Sequence, residues 1–180
     1  MSDIEPSADI IGMLLAQGAD PALGLVGDST VLHGAGFGNY GDWDQRDVND
    51  LVTSCCTACV GLLQIRTPKL GWTPLHFALM ESNSEIAIAC LKNGADPNER
   101  FGTTNPPTYG SGDTPLHAIF YKPDLVALLL DNGADASLHN TAGQTVIEAA
   151  QAALSGETDA DFVALVQASL DLINARNTPN

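Results

Sequence analysis

The chain has 180 residues, of which 44% are hydrophobic, so it is long enough and apolar enough to bury a core. Its 22 Asp and Glu residues outnumber its seven Lys and Arg residues, and the formal net charge is −15. A field of this sign repels nucleic acid and anionic membranes, which excludes both as expected partners. It favours a basic protein or a cationic ligand as the partner, although solubility alone accounts for it equally well.

The sequence predicts an intracellular, cytoplasmic protein. Residues 1–6 (MSDIEP) have neither the basic start nor the long apolar core of a secretory signal. The most apolar run, residues 51–65, contains polar side chains and is too short to span a bilayer. Cysteine usage fits a reducing compartment, because three of the four cysteines crowd one helical turn. The cysteines are Cys55, Cys56, Cys59 and Cys90.

The first part of the chain predicts one half-unit and one irregular unit. A helix that ends near Gln17 leads into a Gly-Ala-Asp turn at residues 18–20. Residues 30–33 (TVLH) then open a short helix, which the glycines beyond it keep from extending. After a Gly-rich insertion at residues 36–47, a long helix is predicted from about residue 47 or 49 to Gln64.

The second part predicts regular pairs of helices. Residues 73–78 (TPLHFA) open a helix that Thr73 caps and Pro74 begins, and a second helix ends before the Gly-Ala-Asp at residues 94–96. Residues 114–117 (TPLH) and 128–135 (LLLDNGAD) repeat this opening and close. A fourth opening, residues 145–150, has Glu148 in place of the histidine. The last amphipathic helix, residues 162–174, closes the array.

This combination of a Thr-Pro-Leu-His opening and a leucine-rich helix that ends in Gly-Ala-Asp resembles the ankyrin repeat family. The resemblance implies an all-α solenoid of about four to five helix-turn-helix repeats with hairpin-like fingers and two enlarged loops. We expect a single domain made of five parts. These are a half-repeat cap (1–22), a divergent repeat with an insertion (23–70), a central repeat with an enlarged finger (71–111), a further repeat (112–142) and a C-terminal capping repeat (143–180).

Two insertions depart from the family period of about 33 residues. The first is the Gly-rich segment 36–47, and the second is the enlarged finger at residues 99–111. Stacked helices leave room for extra residues only in surface loops, and such loops tend to mark the binding face. The two insertions are therefore the first candidates for contact with a partner.

We predict partner-binding residues in three places. The first insertion places aromatic rings between carboxylates, although Trp43 could instead fold back onto the helix pair. The second place is the enlarged finger. The third is the set of outward finger and concave-face positions, where Trp72 could alternatively pack on a neighbouring finger. The predicted residues are Tyr40, Asp42, Trp43, Asp44, Trp72, Met80, Glu81, Phe101, Tyr109, Asp113 and Tyr121.

The histidines and cysteines invite metal, catalytic or redox interpretations that we do not favour. His33, His76 and His117 occupy equivalent repeat positions, roughly 10 Å apart in stacked repeats, so they would not converge on one metal ion. The resemblance implies that they bond the backbone of the turns. Cys55 and Cys59 share one helix face and suit core packing. We therefore expect no metal, cofactor or catalytic residue.

The resemblance implies a protein–protein interaction module that binds through its concave face and enlarged loops. The charge makes a basic partner the natural expectation, and one version is an acidic inhibitor or immunity-type protein. An alternative is an enzyme or small-molecule binder whose pocket the two insertions form, with His33, Tyr40, Asp42, Asp44 or Tyr109 as acid or base. A stabilising subunit of a larger assembly is a third possibility. The sequence carries no signal for the oligomeric state.

Overall fold

A computed structural model describes residues 8–23, 29–37, 45–102 and 112–177. Within these ranges the secondary structure is helical, with nine α-helices, one 3-10 helix and no strand, which confirms the predicted all-α class. The α-helices are α1 Ala8–Ala16, α2 Val31–Phe37, α3 Gln45–Ala58, α4 Pro74–Met80, α5 Ser84–Lys92, α6 Pro115–Ile119, α7 Pro123–Asp131, α8 Val146–Leu154 and α9 Ala160–Asn177, and the 3-10 helix is Leu62–Gln64. No helix of this described part is both long and apolar enough to cross a membrane.

The chain divides into two compact units, Met1–Ala95 and Asp96–Asn180. In the first unit α1, α3 and α5 pack side by side in one layer, and α2 and α4 form a second layer. The second unit has the same arrangement, with α7 beside α9 in one layer and α6 beside α8 in the other. Each unit therefore buries its apolar side chains between two layers of helices. The predicted single domain and its repeat boundaries stay predictions.

Helix ends follow the predicted sequence signals. Pro74 and Pro115 occupy the first turn of their helices, where a missing N–H costs no hydrogen bond. Pro123, for which no helix start was predicted, does the same in α7. The glycines of the Gly-Ala-Asp closes adopt left-handed backbone, with φ of 91° at Gly94 and 89° at Gly133. Such backbone strains any residue with a Cβ, so glycine is the residue that ends these helices and turns the chain into a finger.

The long second helix of the divergent repeat ends earlier than predicted. We expected one helix to Gln64, whereas α3 ends at Ala58 and a separate 3-10 turn follows at Leu62–Gln64. Gly61, whose φ is 88°, separates the two elements. The apolar run beyond Ala58 resembles a helix in sequence, but the left-handed glycine breaks the α-helical hydrogen-bond ladder.

One buried hydroxyl lies in the core of the second unit. Ser169 of α9 is completely buried, and its Oγ has no hydrogen-bond partner among the described residues. Its helix packs against α7 and α8, and its neighbours Val166 and Leu170 belong to an apolar cluster. A hydroxyl removed from water without a replacement partner destabilises the folded state.

We expect Ser169→Ala to raise the free energy of unfolding by about 1 to 3 kcal/mol, because the change removes this uncompensated desolvation. Urea unfolding followed by circular dichroism measures the effect. Ser54→Ala, on the exposed surface of α3, is the matched control, since it reports the gain of about 0.5 kcal/mol from helix propensity alone. Equal effects of the two changes would contradict the interpretation.

Candidate functional site: the finger bases

Five of the predicted partner-binding residues lie outside the described residues. They are Tyr40, Asp42, Trp43, Asp44 and Tyr109. The alternative of a pocket between the two insertions depends on the same segments, so it also lies outside this part of the chain. The remaining predicted residues are described, and the structure places them at finger bases, helix turns and the core.

The enlarged finger rises from a closed base. The Phe101 N–H donates to the Asp113 carbonyl (2.9 Å), and the Gly112 N–H donates to the Phe101 carbonyl (3.0 Å). The Arg100 guanidinium strengthens this pair, because Nη1 donates to the Gly112 carbonyl (2.8 Å) and Nη2 to the His139 carbonyl (2.7 Å). Arg100 thus ties the enlarged finger to the base of the next one. Asp113 contributes its backbone here, and its side chain is half-buried.

The same base closes two other fingers. In the first unit the Thr67 N–H donates to the Trp72 carbonyl (2.9 Å), the Gly71 N–H donates to the Thr67 carbonyl, and Arg66 donates to the Gly71 carbonyl. In the last finger the Asn140 N–H donates to the Gln144 carbonyl (2.8 Å). The hydrogen-bond pattern is the same in all three bases, but the number of residues between the two paired positions differs. The enlarged finger therefore has extra residues beyond a base of the same kind.

Sequence reasoning missed these bases, although a signal was present. A glycine stands two positions before three of the four opening threonines, at residues 71, 112 and 143. The φ angles of these glycines are 64°, 77° and 77°. A glycine repeated at this position indicates a backbone turn that other residues would strain.

The structure corrects the expectation that Phe101 contacts a partner. Its side chain is 1% exposed and is among the largest fully buried groups of the described chain. The first position of the finger base points inward, so the ring belongs to the core. An aromatic residue beside an insertion suggested a surface role, but the base pair with Asp113 fixes its direction instead. Phe101 is therefore removed from the proposed contact surface.

Trp72 serves the packing of the first unit and remains partly accessible. Its ring meets the Phe77 ring edge-on, with centroids 5.2 Å apart, and the residue is half-buried. Met80 is half-buried at the end of α4, and Glu81 follows it with an exposed side chain. The predicted contacts of these three residues with a partner stay predictions.

Tyr121 lies in an aromatic group at the turn between α6 and α7. Its ring stacks on Phe162 of α9, with centroids 6.3 Å apart, and meets Phe120 edge-on at 5.9 Å. The Lys122 ammonium lies 5.5 Å from the centre of the Tyr121 ring. Tyr121 is half-buried, so part of the ring contacts the core while part faces solvent.

The repeat histidines bond the backbone, in the way that the resemblance implies. In the first unit the Thr30 N–H donates to His33 Nδ1 (3.1 Å), so Nδ1 carries no proton and Nε2–H donates to the Trp72 carbonyl (3.0 Å). His76 Nδ1 accepts from the Thr73 N–H in the same way (3.0 Å). The neutral tautomer therefore caps the helix start.

His117 repeats this geometry in the second unit. Its Nδ1 pairs with the Thr114 hydroxyl (2.7 Å), and its Nε2 donates to the Gln144 carbonyl (3.0 Å). Burial lowers the pKa of all three histidines below the ordinary value of 6.5, and it lowers the pKa of His76 to about 3. Desolvation thus favours the neutral ring and outweighs the bonds of His33 and His117 to backbone carbonyls, which act in the opposite direction. These histidines are held as structural links and are poorly suited to proton transfer near neutral pH.

Glu148 replaces the histidine in the last repeat and performs the same capping. Its carboxylate accepts from the Thr145 N–H (2.8 Å) and the Thr145 hydroxyl (3.0 Å). These bonds lower the pKa of Glu148, whose side chain is exposed. A charged group suits this position because water solvates it, whereas His33 and His76 lie fully buried.

The cysteines do not assemble a described metal site. Burial raises the pKa of Cys55 to about 11 and that of Cys90 to about 12, so both are inert thiols in the core. Cys56 lines an open depression of about 260 Å³ beside Val60, Leu63 and Asn93. Across the described ranges, no three His, Cys, Asp or Glu side chains are grouped to hold a metal ion.

Charge is poorly compensated in the second unit. Arg176 binds Asp131 with an N–O distance of 2.6 Å, Arg100 binds backbone carbonyls, and Lys122 lies over Tyr121. No Lys or Arg occurs from residue 123 to 175, where eight acidic residues stand. The cations of this unit's described part are therefore already engaged within the chain. The exposed carboxylates leave a surface that attracts positive charge.

Comparison with known proteins identifies the repeats. A stretch of 76 residues, 41% of this chain, is 36% identical to the regulatory protein NPR5 of Arabidopsis thaliana, and it spans 14% of that relative's length. The family model described as Ankyrin repeat matches residues 70–100 and 111–141. These ranges contain both complete openings and closes, together with the caps of His76 and His117. Residues 70–100 and 111–141 are therefore similar to ankyrin repeats.

Proposed function

We propose that this protein is a binding module for a partner protein with a basic surface. Ankyrin repeats mediate protein–protein interaction, and the chain contains at least the two repeats at residues 70–100 and 111–141. The observation that carries the proposal is the uncompensated negative charge of the second unit. Its described cations are occupied within the chain, so the exposed carboxylates are available to a partner. Such charge increases association rate and specificity more than it increases affinity.

The enlarged finger supports the proposal as the main contact loop. A rigid base reduces the conformational entropy that a loop loses on binding. The paired backbone of Phe101 and Gly112, tied by Arg100, is such a base. We place the partner contacts on the finger beyond this base, with Trp72, Met80, Glu81 and Tyr121 as further contact residues. The first insertion, with Tyr40, Asp42, Trp43 and Asp44, stays a proposed contact on its sequence alone.

One version of the proposal makes the chain an acidic inhibitor or immunity-type protein that covers a basic toxin or nuclease. The charge of −15 favours this version, because such partners carry basic surfaces. We also propose that the protein acts inside the cell, where its four cysteines would remain the free thiols that the structure has.

A shortened-finger variant tests the proposal. The base at Asn140 and Gly143 is spanned by Thr141 and Ala142, so the same two residues can replace residues 102–111 on the equivalent base. We expect the variant to fold, because the base hydrogen bonds remain, and to lose the partner that the parent protein captures from a lysate of the source cells. Mass spectrometry identifies the partner, and thermal unfolding checks the fold. Capture of the same basic protein by a well-folded shortened variant would contradict the assignment of the finger.

A further inference from the structure

The second unit carries an aromatic patch where the turn between α6 and α7 meets α9. We define the patch as Phe120, Tyr121 and Phe162, which are all half-buried. Their inner edges pack against the buried cluster of Ala150, Val166 and Leu170. Their ring centroids are 5.9 and 6.3 Å apart in succession, which makes one continuous aromatic surface.

A cation already lies on this surface. The Lys122 ammonium is 5.5 Å from the centroid of the Tyr121 ring, within the distance of about 6 Å at which a ring attracts a cation. The lysine is adjacent in sequence and reaches the ring from its own turn. Its position shows that the face of Tyr121 admits a positively charged group at the protein surface.

The surroundings of the patch carry negative charge. The Asp159 carboxylate accepts from the Phe162 N–H (3.2 Å), which fixes it at the edge of the patch. Asp161 follows in the first turn of α9 with an exposed side chain. A cation on the rings therefore lies close to carboxylates of the same unit. A positively charged side chain from outside matches this surface in charge and in the flat area it offers.

We infer that the aromatic patch docks an arginine side chain of the partner, which stacks on Tyr121 in the position that the Lys122 ammonium holds here. Arginine is favoured over lysine because its planar guanidinium stacks on aromatic rings and is more weakly hydrated. The inference rests on the proposed function, since the arginine belongs to the basic partner. It adds a defined contact point, which includes Phe162 and belongs to neither insertion.

Titration of the full-length protein with a capped hexa-arginine peptide tests the inference. Tyr121→Leu keeps an apolar side chain against the core and removes the aromatic face, and we expect it to weaken peptide binding about two- to fivefold. Lys122→Gln removes the competing ammonium and should tighten binding. Lys92→Gln, at the exposed end of α5, changes the net charge by the same amount. We expect the Lys122→Gln variant to bind the peptide about two- to fivefold more tightly than the Lys92→Gln variant. Calorimetry gives the dissociation constants, and thermal unfolding confirms the fold of each variant.

The outcomes separate the inference from the proposed function. In one outcome the parent protein binds the peptide, Tyr121→Leu has the same dissociation constant as the parent, and Lys122→Gln has the same dissociation constant as Lys92→Gln. That result overturns the role of the patch and leaves the basic-partner proposal standing. If the parent protein does not bind the peptide at low salt, the basic-partner proposal itself fails. A hexalysine peptide of equal charge should bind more weakly than hexa-arginine, and equal binding would also contradict stacking on the ring.

Discussion

His76→Gln is expected to remove a large part of the acid sensitivity of this protein. Burial lowers the pKa of His76 to about 3 in the folded state, whereas a histidine in the unfolded chain has a pKa near 6.5. Below pH 6.5 the unfolded chain therefore binds a proton that the folded protein rejects, and stability falls as pH falls. His76 alone should cost about 2 kcal/mol between pH 7 and pH 5.

Glutamine is the informative replacement because its amide oxygen can accept from the Thr73 N–H and keep the helix cap without titrating. Urea unfolding at several pH values from 7.5 to 5 measures the effect, in a range above the pKa values of ordinary carboxyl groups. His139→Gln is the matched control, since that ring is exposed on a finger. An unchanged slope of stability against pH in His76→Gln would show that His76 is not held neutral in the folded protein.

Phe101→Ala is expected to lower the free energy of unfolding by about 3 to 5 kcal/mol, the usual cost of removing a buried phenyl ring. The ring is 1% exposed, and its backbone closes the base of the enlarged finger on both sides. The variant should therefore lose core packing and loosen the finger together. Urea unfolding at pH 7.5 measures the change in stability.

Phe101→Leu serves as the comparison, because it keeps most of the apolar volume and should cost less than about 1.5 kcal/mol. A surface ring would give a different pattern, in which both substitutions change stability by less than about 0.5 kcal/mol. That result would restore Phe101 to the contact surface. The two variants thus decide between a core residue and a partner-binding residue without any knowledge of the partner.

Local chemistry explains why the helix pairs were predictable. The Thr-Pro openings and the glycines of the closes act within a few residues, and Pro74, Pro115 and Gly94 take the positions that these signals predict. The same reasoning extended α3 to Gln64, because the apolar run continues past Ala58. The left-handed backbone of Gly61 decides that end, and a lone glycine in an apolar run does not reveal its φ.

Contacts between residues far apart in the chain could not be predicted from the sequence. Arg100 donates to carbonyls that lie 12 and 39 residues away in the chain. The Tyr121 ring stacks on Phe162, although α7 and α8 lie between these residues in the sequence. No local spacing predicts such pairs. Phe101 was placed on the surface for the same reason, since only its pairing with Asp113 directs it inward.

The replacement of histidine by glutamate at residue 148 has a physical reason that the structure supplies. Both side chains accept from the backbone N–H of the opening threonine. The histidine does so as a neutral group in the core, while the carboxylate does so as a charged group in water. The residue type at this position therefore follows the burial of the position, with histidine where it is buried and glutamate where it is exposed.

The salt dependence of partner binding tests the central claim most directly. The partner captured by the parent protein is purified, and its dissociation constant is measured at 50 and 300 mM salt. We predict a basic partner whose affinity falls about tenfold or more over this range, because salt screens the attraction between exposed charges. A partner with an acidic surface, or an affinity that does not change with salt, would contradict the account.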